Sequence, residues 1–235
     1  MEFNKIETQS LKNLFIEQME NLILSGTLEV GEKLPSERQL AQKMQVSRGV
    51  VNSGLSELQK KGFIEVRPRS GTYVSDYRKK GTLETLSSIM NYNGGSLRRD
   101  EVRSILEVRI ALDTLAVIIC IDTITDEQIQ QMKDHVESIK SAASIDEAVR
   151  GAYEFQLDLA MFCGNMLIPL IFHSFKVPVF ALWERFCVLY GINTLYQNNK
   201  GLVDFIAARD RDGACKWIKD SISESIDGKY EIYFE

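Results

Sequence analysis

The stretch from Leu34 to Val74 constrains this chain more than any other, because its punctuation and its apolar spacing fit one arrangement. Pro35 suits the first turn of a helix, where its missing N–H costs nothing, and Leu40, Ala41 and Met44 then share one face. Ser47 stands where a second helix would take its N-cap. On that helix Val51, Leu55 and Leu58 recur at spacings of four and three, a stripe to be buried. Gly62 follows Lys60 and Lys61 as a C-terminal stop. Phe63 to Val66 and Thr72 to Val74 alternate like strands around Arg67-Pro68-Arg69-Ser70-Gly71. Helix, turn, helix and a basic-tipped hairpin make a winged helix-turn-helix, a shape suited to reading DNA.

In such a unit the second helix enters the major groove with its N-terminal residues at base edges. Those are Ser47, Arg48, Gly49, Val50 and Asn52. Arg48 is the candidate for a bidentate contact to guanine, and Asn52 for one to adenine. Arg38, beside Ser36 at the start of the first helix, is placed to clamp a phosphate. Arg67 and Arg69, around the Ser70-Gly71 tip, can reach phosphates or the minor groove. Charge supports the assignment. The net −5 divides into +3 for residues 1–80, with 13 Lys and Arg against 10 Asp and Glu, and −8 for the remainder, with 15 against 23. Within 33–80 alone the ratio is 11 basic to 4 acidic, as expected of a face presented to phosphates.

Around this unit, residues 10–25 put Leu11, Leu14, Phe15, Met19, Leu22 and Ile23 on a helical stripe that Gly26 ends, and all six read as core. Residues 76–81 read as a short charged link, Thr82 to Met90 as a small helix, and Asn91 to Gly95 as a Gly-rich break. From residue 98 the pattern is helical throughout, with candidate helices at 98–121, 126–141, 145–163, 166–191, 198–208 and 211–227. The third and fourth are expected to kink or break, the fourth near 176–178 because of Pro169 and Pro178. The fold class is therefore mostly α: a winged helix-turn-helix over 1–76, a linker and connecting helix over 77–97, and an all-α bundle over 98–235.

Several chemistries are disfavoured. No apolar run approaches the roughly eighteen residues of a membrane span, and the N-terminus lacks a signal peptide's apolar stretch, so a cytoplasmic protein with no membrane partner is expected. Cys120, Cys163, Cys187 and Cys215 lack C-x-x-C spacing and read as reduced, half-buried residues. With two histidines, His135 on a polar helix face and His173 as a satisfied partly buried group, acid–base capacity is small. No nucleophile triad or phosphate loop is present, and no enzyme is expected.

The ordered motifs Pro35-Ser36-Glu37-Arg38 with Leu40-Ala41, Val46-Ser47-Arg48, Leu55 and Leu58 before Gly62-Phe63, and Arg69-x-Gly71-Thr72-x-Val74 resemble the DNA-binding domain of the GntR family of bacterial transcription regulators. The resemblance implies that the helix over 10–25 packs beneath the motif and that Leu28 to Leu34 forms a strand-like link. The family commonly has a small hydroxyl residue at the position of Val50 and an arginine at that of Asn52. DNA binding is thus expected, with a different operator sequence.

Behind it, Glu107 to Asp113, Phe155-Gln156 with Phe162 to Asn165, and Ile206 to Asp210 with Ala214 resemble the effector-binding domain of the FadR-like subfamily. Many members hold a divalent metal there through one Asp and three His. The matching positions here are Ala152, Gln156, Asn199 and Ser221, so no metal and no other cofactor is expected. What the resemblance leaves is an effector site of Gln156, Asn199 and Ser221 with Arg109 and Asp113 beside them. The aromatics Phe172, Phe175, Phe180, Trp183, Phe186, Tyr190 and Tyr196 belong to core or line an elongated pocket. The implied function is a homodimeric regulator of double-stranded operator DNA, controlled by a small-molecule effector: a fatty acyl-CoA or other apolar acid. A small organic or sugar acid, or ligand-independent binding, are the alternatives.

Overall fold

A computed structural model describes residues 10–92 and 99–233, which fall into two compact units on either side of residues 94 and 95. In the first, α1 (Leu11–Leu24), α2 (Glu37–Lys43) and α3 (Arg48–Lys60) precede a hairpin of β1 (Ile64–Arg67) and β2 (Gly71–Val74), followed by α4 (Tyr77–Lys80) and α5 (Leu83–Asn91). The apolar stripe of α3, Val51, Leu55 and Leu58, is buried against Phe15, Met19 and Ile23 of α1. Gly54 makes that approach possible, because a Cβ there would overlap the Phe15 ring. Leu11 and Leu14, expected in the core, are instead 57% and 44% exposed: the buried face of α1 runs through Phe15, Ile16, Met19 and Ile23, and starts at the second turn.

Pro35 lies outside α2 rather than in its first turn. Ser36 is the cap, its hydroxyl accepting from the Gln39 backbone while the Gln39 side chain accepts from the Ser36 N–H, a reciprocal capping box. Ser47 caps α3 by accepting from Val50 N at 3.3 Å. The turn between the two helices passes through Gln45 at φ 52. In the wing, Ile64 pairs with Val74 and Arg67 with Gly71. Lys33 bridges to Tyr73, and Leu34 N donates to Thr72 O at 2.8 Å, so the Leu28–Leu34 link runs along the hairpin edge.

Residues 76–81, read as a plain link, carry a helical turn, α4. The Lys80 carbonyl sits where a Cβ on Gly62 would be, so Gly62, at φ +78, has a steric reason as well as a conformational one. Buried Thr85 of α5 donates to the Lys61 carbonyl, and Lys61 Nζ reaches Glu20 Oε1 at 2.9 Å and Ser88 Oγ at 3.1 Å. The connecting helix is thereby built onto the first unit. The expected break at Asn93, Gly94 and Gly95 lies outside the described residues, as does the N-terminal segment 1–9.

The second unit is a bundle of α6 (Arg99–Cys120), α7 (Asp126–Ser141), α8 (Ile145–Phe162), α9 (Ile168–Ser174), α10 (Lys176–Tyr190), α11 (Ile192–Ala207) and α12 (Arg211–Asp227). Helix α8 is continuous, against expectation; its Gly151 lets α7 approach, since a Cβ would press on Ser138 and Ile139. The fourth stretch does break, at Phe175, one residue before the expected region, and Pro169 and Pro178 fall in the first turns of α9 and α10, where proline is tolerated. Helix α11 begins at Ile192, well before the expected 198. At Gly201 α11 meets the Trp217 ring of α12, whose Nε1 donates to Asn198 O at 2.9 Å. His135 is half-buried and 3.3 Å from Asp158, not solvated on a polar face; His173 is exposed, with Nδ1 2.9 Å from Tyr153 Oη.

Candidate functional site

The first candidate surface is the exposed side of α2, α3 and the wing. Arg38, Arg48 and Arg69 are exposed there, each without an ion-pair partner among the described residues. The four residues Arg67-Pro68-Arg69-Ser70 close a turn through Ser70 N donating to Arg67 O at 3.0 Å. Arg69 holds φ 61 at a position where glycine is at ease. Its neighbour differs. Arg67 pairs with Glu65 at 2.5 Å and lies 4.2 Å over the Tyr73 ring, so its charge is largely answered within the wing. Ser70 Oγ is 2.7 Å from Tyr73 Oη.

On α3, a Cβ at Gly49 would make an ordinary 3.8 Å contact with Ser47 Oγ and meet nothing closer among the described residues. The Asn52 amide donates to Glu37 Oε1 at 3.2 Å, which fixes its orientation. Val50, grouped by position with the base-reading residues, is half-buried against the core. A groove between the start of α2 and the wing tip gathers Lys33, Ser36, Lys43, Arg69, Ser70 and Gly71. Lys33 and Lys43 escaped the sequence reading; only their part in the basic 33–80 count pointed to them.

The second candidate is a cavity of about 70 Å³ inside the bundle. It is lined from α6 by Arg109 and Asp113, from α8 by Gln156, from α10 by Trp183 and Phe186, from α11 by Asn199, and from α12 by Ser221. The five residues expected at the effector site thus share one cavity. Arg109 Nη2 donates to Asp113 Oδ2 at 3.2 Å, and the guanidinium lies 5.0 Å from the Trp183 ring centre. Burial pushes the Asp113 carboxyl above its usual range, against the pull of Arg109. Asn199 Nδ2 donates to Leu195 O at 2.8 Å and Ser221 Oγ to Ile218 O at 3.3 Å.

Two polar atoms remain: Arg109 Nε and Gln156 Oε1 are buried with no hydrogen-bond partner among the described residues. One is a donor beside a positive charge and the other an acceptor. Of the aromatics considered from sequence, Trp183 and Phe186 line this cavity, and Phe172, Phe175 and Tyr196 are core. The sequence reading missed Asn198, Trp217, Ser225 and Ile232. Trp217 was within reach, four residues before Ser221 on one helix.

Comparison with known proteins finds family matches in both parts of the chain. The profile of "Bacterial regulatory proteins, gntR family" matches residues 14–74, and that of the FCD domain matches residues 104–224. The chain belongs to the GntR family.

This GntR regulator is therefore a DNA-binding transcription regulator with an FCD effector domain, not an enzyme. It is 28% identical to the uncharacterized HTH-type transcriptional regulator YcbG of Bacillus subtilis, over 96% of this chain and 97% of that one. It is 25% identical to the HTH-type transcriptional repressor NanR of Cronobacter sakazakii, over 88% of this chain and 80% of the relative. The solved structure of Lar, described as controlling the Listeria monocytogenes agr system, superposes with a TM-score of 0.65 at 15% identity, over 97% of this chain and 100% of that one; the likeness concerns fold. No helix among the described residues is long and apolar enough to cross a membrane.

At the positions where many FCD domains hold a metal, this GntR chain offers a methyl group, two amides and a hydroxyl, at Ala152, Gln156, Asn199 and Ser221. Without an imidazole or carboxylate among them, this donor set does not fit a divalent transition metal. The cavity is also small. Its volume is less than half of the ~150 Å³ that admits benzene in an engineered cavity. The Cys120 and Cys187 thiols are chemically quiet: burial raises both to about 11.

Proposed function

We propose that the chain is a cytoplasmic homodimer whose winged helices bind a near-palindromic operator, and whose operator affinity is set by a small organic acid bound directly by the bundle. Residues 1–76 bind DNA, 77–97 connect, and 98–235 bind effector and dimerise. On DNA, Arg48 and Asn52 read base edges from α3, with Ser47 and Gly49 at its close-approaching first turn. Ser36, Arg38, Arg69, Ser70 and Gly71 position the protein on the phosphates, with Arg67, paired to Glu65, bracing the wing.

The observation that carries the ligand half is that Arg109 Nε and Gln156 Oε1, on two side chains that line one cavity, are buried without a hydrogen-bond partner among the described residues. Buried polar atoms are normally satisfied, and leaving one unsatisfied costs about 1–3 kcal/mol. A carboxylate bearing a donor group answers both atoms. Asp113 pairs with Arg109 through Nη2, and Asn199 and Ser221 supply neutral hydrogen bonds. Cavity size favours a short acid over the apolar acyl ligand.

The test is a thermal-shift series from acetate to octanoate, with lactate- and citrate-sized acids and an acyl-CoA, followed by binding to DNA selected from a random pool. Short acids should raise Tm and change DNA affinity, and Arg109→Ala should remove both effects. Elemental analysis should find no stoichiometric transition metal, and chelation should leave Tm unchanged. A response confined to acyl-CoA, or one abolished by chelation, would overturn the direct short-acid reading; no response to any acid would leave ligand-independent DNA binding.

A further inference from the structure

Beyond α12 the chain turns back on the bundle. Tyr230 N donates to Glu224 O at 2.9 Å and Ile232 N to Ser225 O at 3.4 Å. Two side chains of α10 hold the returning backbone from the other side: Tyr190 Oη donates to Glu231 O at 2.7 Å, and Arg185 Nη2 to Tyr233 O at 3.3 Å. The Tyr230 ring packs edge-on against Tyr190 at 5.1 Å. The FCD match ends at residue 224, so this segment lies beyond it.

The segment also touches two hollows. Ile232, 3% exposed, is part of the wall of the inner cavity that holds Arg109 and Gln156. Tyr230 lines an outer hollow between α11 and α12, and the two hollows share Asn198, Trp217 and Ser221. A ligand whose polar end is fixed by Arg109 in about 70 Å³ must direct its other end at a nearby apolar wall. Ile232 belongs to a wall carried by an irregular segment rather than a helix, so its side chain can be changed without repacking two helices.

We propose that residues 228–233 form a strap that limits the size of ligand the cavity accepts, and that Ile232 is the side chain that sets this limit. The proposal rests on the reading of the cavity as the effector site. Shortening Ile232 enlarges the cavity at that wall, so longer acids gain room while the anchor at Arg109 is untouched. A single methylene discriminates by about tenfold or more in an apolar pocket, and a change of this size is therefore expected in the ratio of long to short acids.

The experiment uses the full chain, Ile232→Ala and the milder Ile232→Val, with straight-chain carboxylates from formate to hexanoate as charged probes and benzene as an uncharged one. Binding is read by thermal shift and calorimetry. Ile232→Ala should move the preferred acid to a longer chain by about tenfold in relative affinity and gain benzene binding that the parent lacks. Ile232→Val should move in the same direction by less, and it covers the case in which the alanine variant does not fold. Arg109→Gln in the Ile232→Ala background should abolish acid binding and keep benzene. Benzene binding to the variants without any acid binding would sink the acid reading and retain the strap as cavity wall. An unchanged chain-length preference in a folded variant, or no benzene gain with no acid response, would overturn the strap proposal.

Discussion

Gly49 and Arg69 share an oddity that the fold alone does not explain. Gly49 sits in the first turn of α3, where a Cβ would make an ordinary contact with Ser47 Oγ, and no packing among the described residues forbids one. Gly49→Ala should therefore stabilise the protein by about 0.4–1 kcal/mol, through a stiffer unfolded chain and better helix propensity. If the turn lies close to DNA, the same change should weaken DNA binding, so opposite signs in Tm and affinity are expected. Unchanged affinity would move Gly49 away from the DNA. Arg69 holds a left-handed backbone that costs a non-glycine residue on the order of 1 kcal/mol, and it has no ion-pair partner among the described residues to offset that cost. Arg69→Ala should weaken binding to all sequences and lower the salt slope by about one, whereas Arg48→Ala should relax preference at one base by roughly 1–3 kcal/mol. Competition against mutated sites at several salt concentrations separates the two; equal losses on every sequence would deny Arg48 a base contact. In the cavity, Arg109 and Asp113 are the ionisable lining residues. Because burial raises the Asp113 carboxyl, its neutral form becomes available above the usual carboxylate range. Its contribution to stability is greatest below the ordinary pKa and is lost as pH rises through the raised one. Protonation also releases Arg109, so affinity for an anion should climb as pH falls into that range. Asp113→Asn should bind more tightly and lose this dependence in acid-ligand titrations across pH.

Individual elements differ in how much of them could be read from the chain. Helix α3 was legible because stripe, cap and stop agree: Val51, Leu55 and Leu58 are buried, Ser47 caps, and Gly62 takes φ +78. The wing was legible to within one residue at each strand, since alternation and a Pro-containing turn leave little freedom. Helix α11 was foreshortened because Asn193, Thr194 and Asn198 are poor helix formers, and burial of Leu195 and Tyr196 overrides that preference. The turn α4 was missed because Tyr77-Arg78-Lys79-Lys80 has no apolar period. The site was half legible in the same sense. Arg109, Asp113, Gln156, Asn199 and Ser221 could be named by motif order, but the wall at Ile232 is tertiary and leaves no periodic trace. The α1–α3 contact yields a test. Gly54→Ala gains up to ~1 kcal/mol of helix propensity, yet its Cβ must displace the buried Phe15 ring. Overpacking at a tight site costs about 1–3 kcal/mol, so net destabilisation is expected in urea melts. A variant at least as stable as the parent would show that Phe15 moves freely.

At the scale of the whole molecule, a ligand in the bundle changes operator affinity only if it binds two states of the protein unequally. The basic winged helix and the acidic bundle are separate compact units, and an effector held within the bundle would change operator affinity through a shift in conformational population. That requirement is quantitative. If an acid changes the affinity for operator by some factor, operator must change the affinity for the acid by the same factor. Couplings of this kind are typically about 1–3 kcal/mol, or roughly 5–150-fold. Calorimetric titration of the acid with and without saturating operator, set beside DNA titrations with and without saturating acid, should therefore give equal ratios. Arg109→Ala should bring both to unity together, since it removes the anchor rather than the conformational change. Strap variants at Ile232 should alter which acid binds and leave the ratio for a well-bound acid near its parental value. Unequal ratios at equilibrium would mean that the acid also acts outside this cavity, on the basic face of the winged helix, where Arg38, Arg48 and Arg69 stand exposed to any anion in solution.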